Sequence, residues 1–209
     1  MPVPDLLTAK IAHGFDHLDV DGDGRLTEHD HVLCGRRVAA ALGHPAGSAA
    51  EQTIIDAYLT IWRDLHLPHI PGGGDSITKE QFVTSTRTLA ADPAAAAASV
   101  GALAEAFLAI ADADGDGTVD PAEFLAFQRG HFPGLSDAEG AEAFAHLDTD
   151  GDGRLSAAEF IRAIIEYWSS ADPDAPGNWW MGRPVFAAEV PQQTRAGSHQ
   201  VGMALELEP

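Results

Sequence analysis

Asp148-Thr-Asp-Gly-Asp-Gly-Arg-Leu-Ser-Ala-Ala-Glu159 is the stretch that decides the fold. It carries aspartate at its first, third and fifth positions, glycine at the sixth, an apolar residue at the eighth and glutamate at the twelfth. A calcium loop between two helices needs this order, because it supplies oxygens from positions 1, 3, 5, 7, 9 and 12 and turns sharply at position 6. A solvated acidic turn would not need the glycine, the leucine and the glutamate in register. The stretch therefore predicts a calcium-binding helix–loop–helix unit.

The same pattern occurs at two other places in the chain. Residues 112–123 match it at every position, and residues 19–30 match it except at the twelfth. Position 7 donates a backbone carbonyl, so its side chain is free to vary. The predicted ligands at positions 1, 3, 5, 7 and 12 of the three loops are Asp19, Asp21, Asp23, Arg25 and Asp30; Asp112, Asp114, Asp116, Thr118 and Glu123; and Asp148, Asp150, Asp152, Arg154 and Glu159.

The first loop ends in Asp30, whose side chain is one methylene shorter than glutamate. Asp30 is expected to reach the ion with one oxygen, which lowers the coordination number. Because Mg²⁺ prefers six ligands, loop 19–30 is predicted to bind calcium more weakly and to tolerate magnesium. His31 follows it, where the other units carry phenylalanine.

A fourth unit is predicted at 70–81, because the gap between the first two acidic loops is long enough to contain one. Thr78-Lys-Glu-Gln81 keeps the capping box of a helix start. Ile70, Gly72 and Gly74 replace the aspartates, and Gln81 replaces the glutamate, so this loop is predicted to be empty. Its remaining role would be structural, with the apolar residues at position 8 pairing between loops: Leu26 with Ile77, and Val119 with Leu155.

Apolar residues at helical spacing flank every loop, which predicts an all-α fold of four units in two pairs. We expect an N-terminal pair over 1–91, a C-terminal pair over 92–170, and a tail over 171–209 that is partly packed and partly disordered. The alanines after Asp92 are read equally well as a flexible linker or as the opening of the next helix.

The bulk composition limits the classes of partner. The net charge is −20, and nucleic acid and anionic membranes both repel such a polyanion. A single cysteine excludes an internal disulfide, and we find no signal peptide and no apolar run near 18 residues. The expectation is a cytoplasmic monomer whose partners are calcium ions, with a protein target possible but not indicated.

Four units in the order intact, empty, intact, intact, with a long helix before the second loop, resemble the sarcoplasmic calcium-binding proteins and the bacterial calerythrin-like proteins. Asp172-Pro-Asp-Ala-Pro-Gly-Asn-Trp-Trp180 looks like the closing segment of these chains. The resemblance covers about residues 5–182 and implies an EF-hand fold, with paired hands and only short β contacts between loops. It also implies a calcium buffer or signal modulator. Ten arginines against two lysines suggest a GC-rich bacterial source.

Other function classes find less support. A calcium sensor exposes a methionine-rich groove, but the methionines are Met1, Met181 and Met203, none on a predicted hand helix. A ligand binder resembling the photoproteins, which hold a luciferin among aromatic and histidine side chains, is a further alternative. It would use Tyr58, Trp62, Tyr167 and Trp168 with the terminal Pro209. No nucleophile elbow, phosphate loop or dinucleotide motif indicates an enzyme.

The ten histidines are interpreted as surface residues. His13 and His17 lie one helical turn apart, but two histidines alone do not make a zinc site. Cys34 is predicted to lie in the core and not to be reactive.

Overall fold

The computed structural model describes residues 5–70 and 72–184 and is built almost entirely of helices. The all-α prediction is confirmed. The helices are α1 (Leu6–Leu18), α2 (Glu28–Ala41), α3 (Ala49–Ile61), α4 (Lys79–Arg87), α5 (Pro93–Ala111), α6 (Pro121–His131), α7 (Asp137–Leu147) and α8 (Ala157–Ser169). The strands are β1 (Arg25–Thr27), β2 (Ser76–Thr78), β3 (Thr118–Val119) and β4 (Leu155–Ser156). A π-helical turn (Trp62–His66) extends α3, and 3₁₀ turns lie at Leu67–His69, Thr88–Ala91 and Pro176–Trp179.

Each loop ends by capping the helix that follows it. Residue 9 of the loop is the N-cap and residue 12 is the third helical residue, and in all four units the two exchange hydrogen bonds as a capping box. This arrangement satisfies two backbone N–H groups that a helix start leaves without intrahelical partners. The N-caps are Thr27, Thr78, Asp120 and Ser156.

Two short antiparallel ribbons join the loops in pairs. Leu26 lies opposite Ile77 in the first, and Val119 lies opposite Leu155 in the second. All four side chains are buried. The predicted pairing of the position-8 residues is therefore confirmed, including the one that involves the loop without aspartates.

One core runs through both pairs of hands. The buried cluster contains residues of every helix from α1 to α8. Helix α2 approaches α6 so closely that a Cβ on Gly130 would lie 2.5 Å from the Cα of Val38. Any side chain at position 130 would push these helices apart.

Helix α5 contains the alanines after Asp92, so this segment is helical and not a flexible linker. The Asp92 carboxylate accepts hydrogen bonds from the amides of Ala94 and Ala95, and Pro93 takes the first helical position. By length and composition alone, this helix could cross a membrane. The sequence analysis expected no apolar segment of that kind. A third of its apolar window is buried, and those residues pack into the core of the hands. Length and composition alone do not make it a membrane span, because helices of soluble proteins can share both.

The segment after α8 folds back on the molecule. Trp180 is buried, and its ring lies 5.0 Å from that of Phe160 and 6.2 Å from that of Phe124. The Nζ of Lys10, on α1, donates to Asn178 Oδ1 at 2.9 Å and to the Glu166 carbonyl at 3.0 Å. The segment after α8 is thus held against α1, α6 and α8. The predicted disorder of its final part concerns residues 185–209, which lie outside the described residues.

Candidate calcium-binding sites

Three groups of carboxylates gather at the acidic loops. In each group the carboxylates of positions 1, 3 and 12 offer oxygens that all lie within 4.8 Å of one another. The groups are Asp19, Asp21 and Asp30; Asp112, Asp114 and Glu123; and Asp148, Asp150 and Glu159. Three converging carboxylates provide the hard oxygen donors that Ca²⁺ takes.

Glycine at position 6 makes this convergence possible. Gly24, Gly117 and Gly153 have φ values of 84°, 88° and 86°, in the left-handed region that residues with a Cβ rarely adopt. The amide of each glycine donates to the carboxylate at position 1, at 2.9 Å, 3.0 Å and 2.9 Å respectively. The turn therefore points the first aspartate into the loop.

The glutamate at position 12 connects the two ends of its loop. Glu159 accepts hydrogen bonds from the amide of Thr149 at 2.8 Å and from the amide of Ser156 at 3.0 Å. Burial alone would raise the pKa of Glu159, but these hydrogen bonds and those of the Ser156 and Thr149 hydroxyls outweigh it and lower the pKa to about 2. The carboxylate is consequently ionised at neutral pH and available to a cation.

Asp30 occupies the place of the glutamate despite its shorter side chain. Its Oδ1 accepts from the amide of Val20 at 2.9 Å, and its Oδ2 accepts from the amide of Thr27 at the same distance. These bonds correspond to those of Glu159, so the structure brings Asp30 together with Asp19 and Asp21.

The aspartates at position 5 lie outside the three groups. Each accepts a hydrogen bond from the amide of position 7, which holds the carbonyl-donating residue in the turn. The pairs are Asp23 with Arg25, Asp116 with Thr118, and Asp152 with Arg154, at 2.8 Å, 2.9 Å and 2.9 Å.

The two arginines at position 7, Arg25 and Arg154, contact the partner loop. The sequence analysis did not predict these contacts, because it treated the side chain at position 7 as free to vary. The Arg154 guanidinium forms an ion pair with Asp116 and donates to Thr118 Oγ1 at 2.7 Å. Hydrogen bonds from Thr118 and then from Arg154 lower the pKa of Asp116. Arg25 donates instead to Ser76 Oγ, a neutral group in the loop without aspartates. Because both arginines occupy the same position of the motif, the motif does not predict that only Arg154 has a charged partner.

Loop 70–81 offers no comparable group. No cluster of three carboxylates occurs among its described residues. Gln81 takes over the capping role of the glutamate, and its Oε1 accepts from the amide of Thr78 at 2.9 Å. A neutral amide in place of the last carboxylate keeps the helix start and removes the charge.

The interpretation of the histidines as surface residues is wrong for two of them. His31 is 2% exposed and His131 is 9% exposed, because each faces the core from the first or last turn of its helix. The prediction for Cys34 is confirmed: it is buried, and burial raises the pKa of its thiol to about 12. Such a thiol is not a nucleophile at neutral pH.

Comparison with known proteins agrees with this geometry. The EF-hand domain pair family matches residues 102–165. Calerythrin of Saccharopolyspora erythraea is 32% identical over 141 residues, which cover 66% of this chain and 78% of calerythrin.

Two solved structures share the architecture. One is a Streptomyces coelicolor calcium-binding protein that takes part in prokaryotic calcium-mediated regulation. It is 28% identical to this chain and superposes with a TM-score of 0.62. The match covers 79% of this chain and 99% of the Streptomyces coelicolor protein. The other is the calcium-loaded apo form of the coelenterazine-binding protein of Renilla muelleri, with a TM-score of 0.69 and 23% identity. The match covers 85% of this chain and 94% of the Renilla muelleri protein. At that identity the second likeness concerns the fold alone.

Proposed function

The chain belongs to the calerythrin-like EF-hand calcium-binding proteins, and on that premise we propose that it is an intracellular calcium buffer with three ion sites. The observation that carries the proposal is the gathering of three carboxylates at loops 19–30, 112–123 and 148–159. We assign one Ca²⁺ to each loop and none to loop 70–81. The ligands are those predicted at positions 1, 3, 5, 7 and 12, with Mg²⁺ as a competitor at loop 19–30.

The docked segment after α8 favours a buffer over a sensor. A sensor opens its hands to expose an apolar groove. Here Trp180 already occupies the space between α6 and α8 against Phe124 and Phe160, and its carbonyl accepts from Gln128 Nε2 at 2.7 Å. A segment of the chain itself thus fills the position in which a target helix would bind.

Calorimetric titration of position-12 variants tests the assignment. We expect three ions per chain for the native sequence and two for each of Asp30→Asn, Glu123→Gln and Glu159→Gln, because each change removes a charged ligand from one site. Gln81→Glu is the matched control. It restores a carboxylate where positions 1, 3 and 5 have none, so it should add no site. A fourth ion in that variant, or three in all the others, would contradict the assignment.

Retention on a phenyl-substituted matrix tests the choice between buffer and sensor. A buffer should elute at the same position with calcium and with a chelator, because Trp180 keeps the groove filled. Retention that depends on calcium would favour the sensor, a role in line with the calcium-mediated regulation by the Streptomyces coelicolor protein.

A further inference from the structure

A cavity of about 470 Å³ lies between the two pairs of hands. Protein interiors contain few voids larger than a water molecule, whereas pockets for small organic ligands start at about 300 Å³. Most of its wall is apolar, with aromatic rings from Phe82, Phe107, Phe132, Trp168 and Trp180. None of its lining residues is aspartate, glutamate, lysine or arginine, so the wall offers no charge to a ligand.

The polar part of the wall consists of histidine and tyrosine side chains and of the hydroxyls of Ser85, Thr86, Thr88 and Ser99. His131 Nδ1 lies 3.3 Å from the carbonyl of Phe127, to which it donates. Burial lowers the pKa of His131 to about 4, so the ring is neutral and its Nε2 accepts a hydrogen bond from the Tyr58 hydroxyl. The Tyr58 oxygen keeps its lone pairs and can accept a hydrogen bond from a donor inside the cavity.

A second polar pair lies on another part of the wall. His31 Nδ1 donates to the Thr27 carbonyl at 2.8 Å, and His31 Nε2 lies 3.1 Å from Nδ1 of His66. His66 ends the π-helical turn Trp62–His66, and both it and Leu65 line the cavity. Single π turns within helices occur frequently at functional sites, since the extra residue redirects the side chains around it.

The cavity has a path to solvent. Ile61, Leu65, Ser99 and Leu103 line it and also line a second hollow between α3 and α5. Ser85 on α4 and Thr88 in the 3₁₀ turn before α5 are lining residues that are exposed. The wall of the cavity therefore reaches the protein surface at these exposed side chains.

We propose that this cavity binds one small, uncharged, largely aromatic molecule that carries an O–H or N–H group. The aromatic wall takes the rings, and the Tyr58 oxygen accepts the hydrogen bond. This would be a ligand function separate from calcium buffering, because none of the carboxylates at the three ion loops lines the cavity.

Fluorescence titration with N-phenyl-1-naphthylamine tests the proposal. This probe is uncharged and aromatic, has one N–H group, and fluoresces strongly in apolar surroundings. We expect one probe per chain. Ser99→Trp, which places an indole in the cavity, should weaken binding at least tenfold. Ala97→Trp is the matched control, because Ala97 is exposed on the same helix and lines neither hollow; it should bind like the native chain.

Tyr58→Phe tests the assigned hydrogen bond with a smaller change. It should weaken the probe about fivefold or more, the typical effect of losing one hydrogen bond, and leave the affinity for 1-phenylnaphthalene, which lacks the N–H group, unchanged. Circular dichroism and calcium stoichiometry show whether each variant is folded, so failure of the ion sites is distinguished from failure of the cavity. Absence of saturable binding, equal effects of Ser99→Trp and Ala97→Trp, or equal losses for both probes in Tyr58→Phe would overturn the proposal.

Discussion

At the residue scale, two positions distinguish loops that otherwise share a pattern. Position 12 is glutamate in two loops and Asp30 in the third, yet all three carboxylates make the same backbone bonds. The backbone carbonyl of position 7 is a predicted ligand in all three loops, but only the side chain of Arg154 pairs with a carboxylate of the partner loop. These two differences decide how the sites should differ in affinity.

Removing the Arg154 side chain should strengthen calcium binding at loop 112–123. The guanidinium competes with the ion for Asp116, so Arg154→Gln should raise affinity about two- to fivefold, the range expected for an exposed ion pair. The amide signal of Gly117, which donates to Asp112, reports this site in an NMR titration. Arg25→Gln removes the same charge at the same position but breaks only a bond to Ser76. Equal gains at both loops would show a general charge effect and contradict the competition.

Lengthening Asp30 should change the choice of ion at loop 19–30. Asp30→Glu offers two oxygens to the ion, so the affinity for calcium relative to magnesium should rise about tenfold, because magnesium gains nothing beyond six ligands. The Gly24 amide, which donates to Asp19, reports the titration with each ion. The reverse exchange, Glu123→Asp, should lower the same ratio at its own loop. An unchanged ratio in both variants would mean that position 12 does not set selectivity here.

The convergence of the carboxylates at positions 1, 3 and 12 could be predicted from the sequence, because calcium chemistry requires particular side chains at fixed positions. The structure gathers Asp19, Asp112 and Asp148 with their partners as that requirement implies. The burial of His31 and the pairing of Arg154 could not be predicted in this way. Both depend on which element lies opposite, and nothing in the local sequence encodes that.

At the scale of the elements, the last four residues of each loop also begin the helix that follows it. The residues that close the ion site also form the capping box, so a loop can lose its ligands and still begin its helix. Loop 70–81 has done so, with Thr78 and Gln81 in the capping roles. The opening of α5 could not be predicted, because a run of alanines suits a helix or a linker until Asp92 is seen to cap it.

Loss of the cap at the loop without aspartates should reduce stability without changing calcium binding. Thr78→Ala removes the hydroxyl that accepts from the Gln81 amide and should lower the free energy of unfolding by about 1 kcal/mol. Urea unfolding of the calcium-saturated protein measures this. Thr84→Ala, an exposed change within α4, should cause no loss. If the two variants are equally stable, the cap does not contribute as described.

At the scale of the whole molecule, a buried lysine connects α1 to the segment after α8. Lys10 is fully buried and binds the segment after α8 through Asn178. Burial lowers its pKa from 10.5 to about 8, and the nearby Glu166 and Asp172 offset only part of that effect. The unfolded chain therefore holds a proton on this residue between about pH 8 and 10.5 that the folded chain has lost.

Stability should depend on pH through this residue. Since the unfolded state binds more protons in that window, the free energy of unfolding of the native chain should rise with pH there, by up to about 3 kcal/mol relative to Lys10→Met. Below about pH 8 the difference between the two proteins should stay constant. Urea unfolding of both at pH 7, 8, 9 and 10 provides the comparison. A difference that is constant across the whole range would show that Lys10 is not desolvated in the folded state.

The most direct test of the account is equilibrium dialysis of the purified chain against micromolar free Ca²⁺. Three groups of converging carboxylates predict that three ions are retained per chain. A chain that remains free of metal, or that retains a fourth ion at loop 70–81, would contradict the central claim.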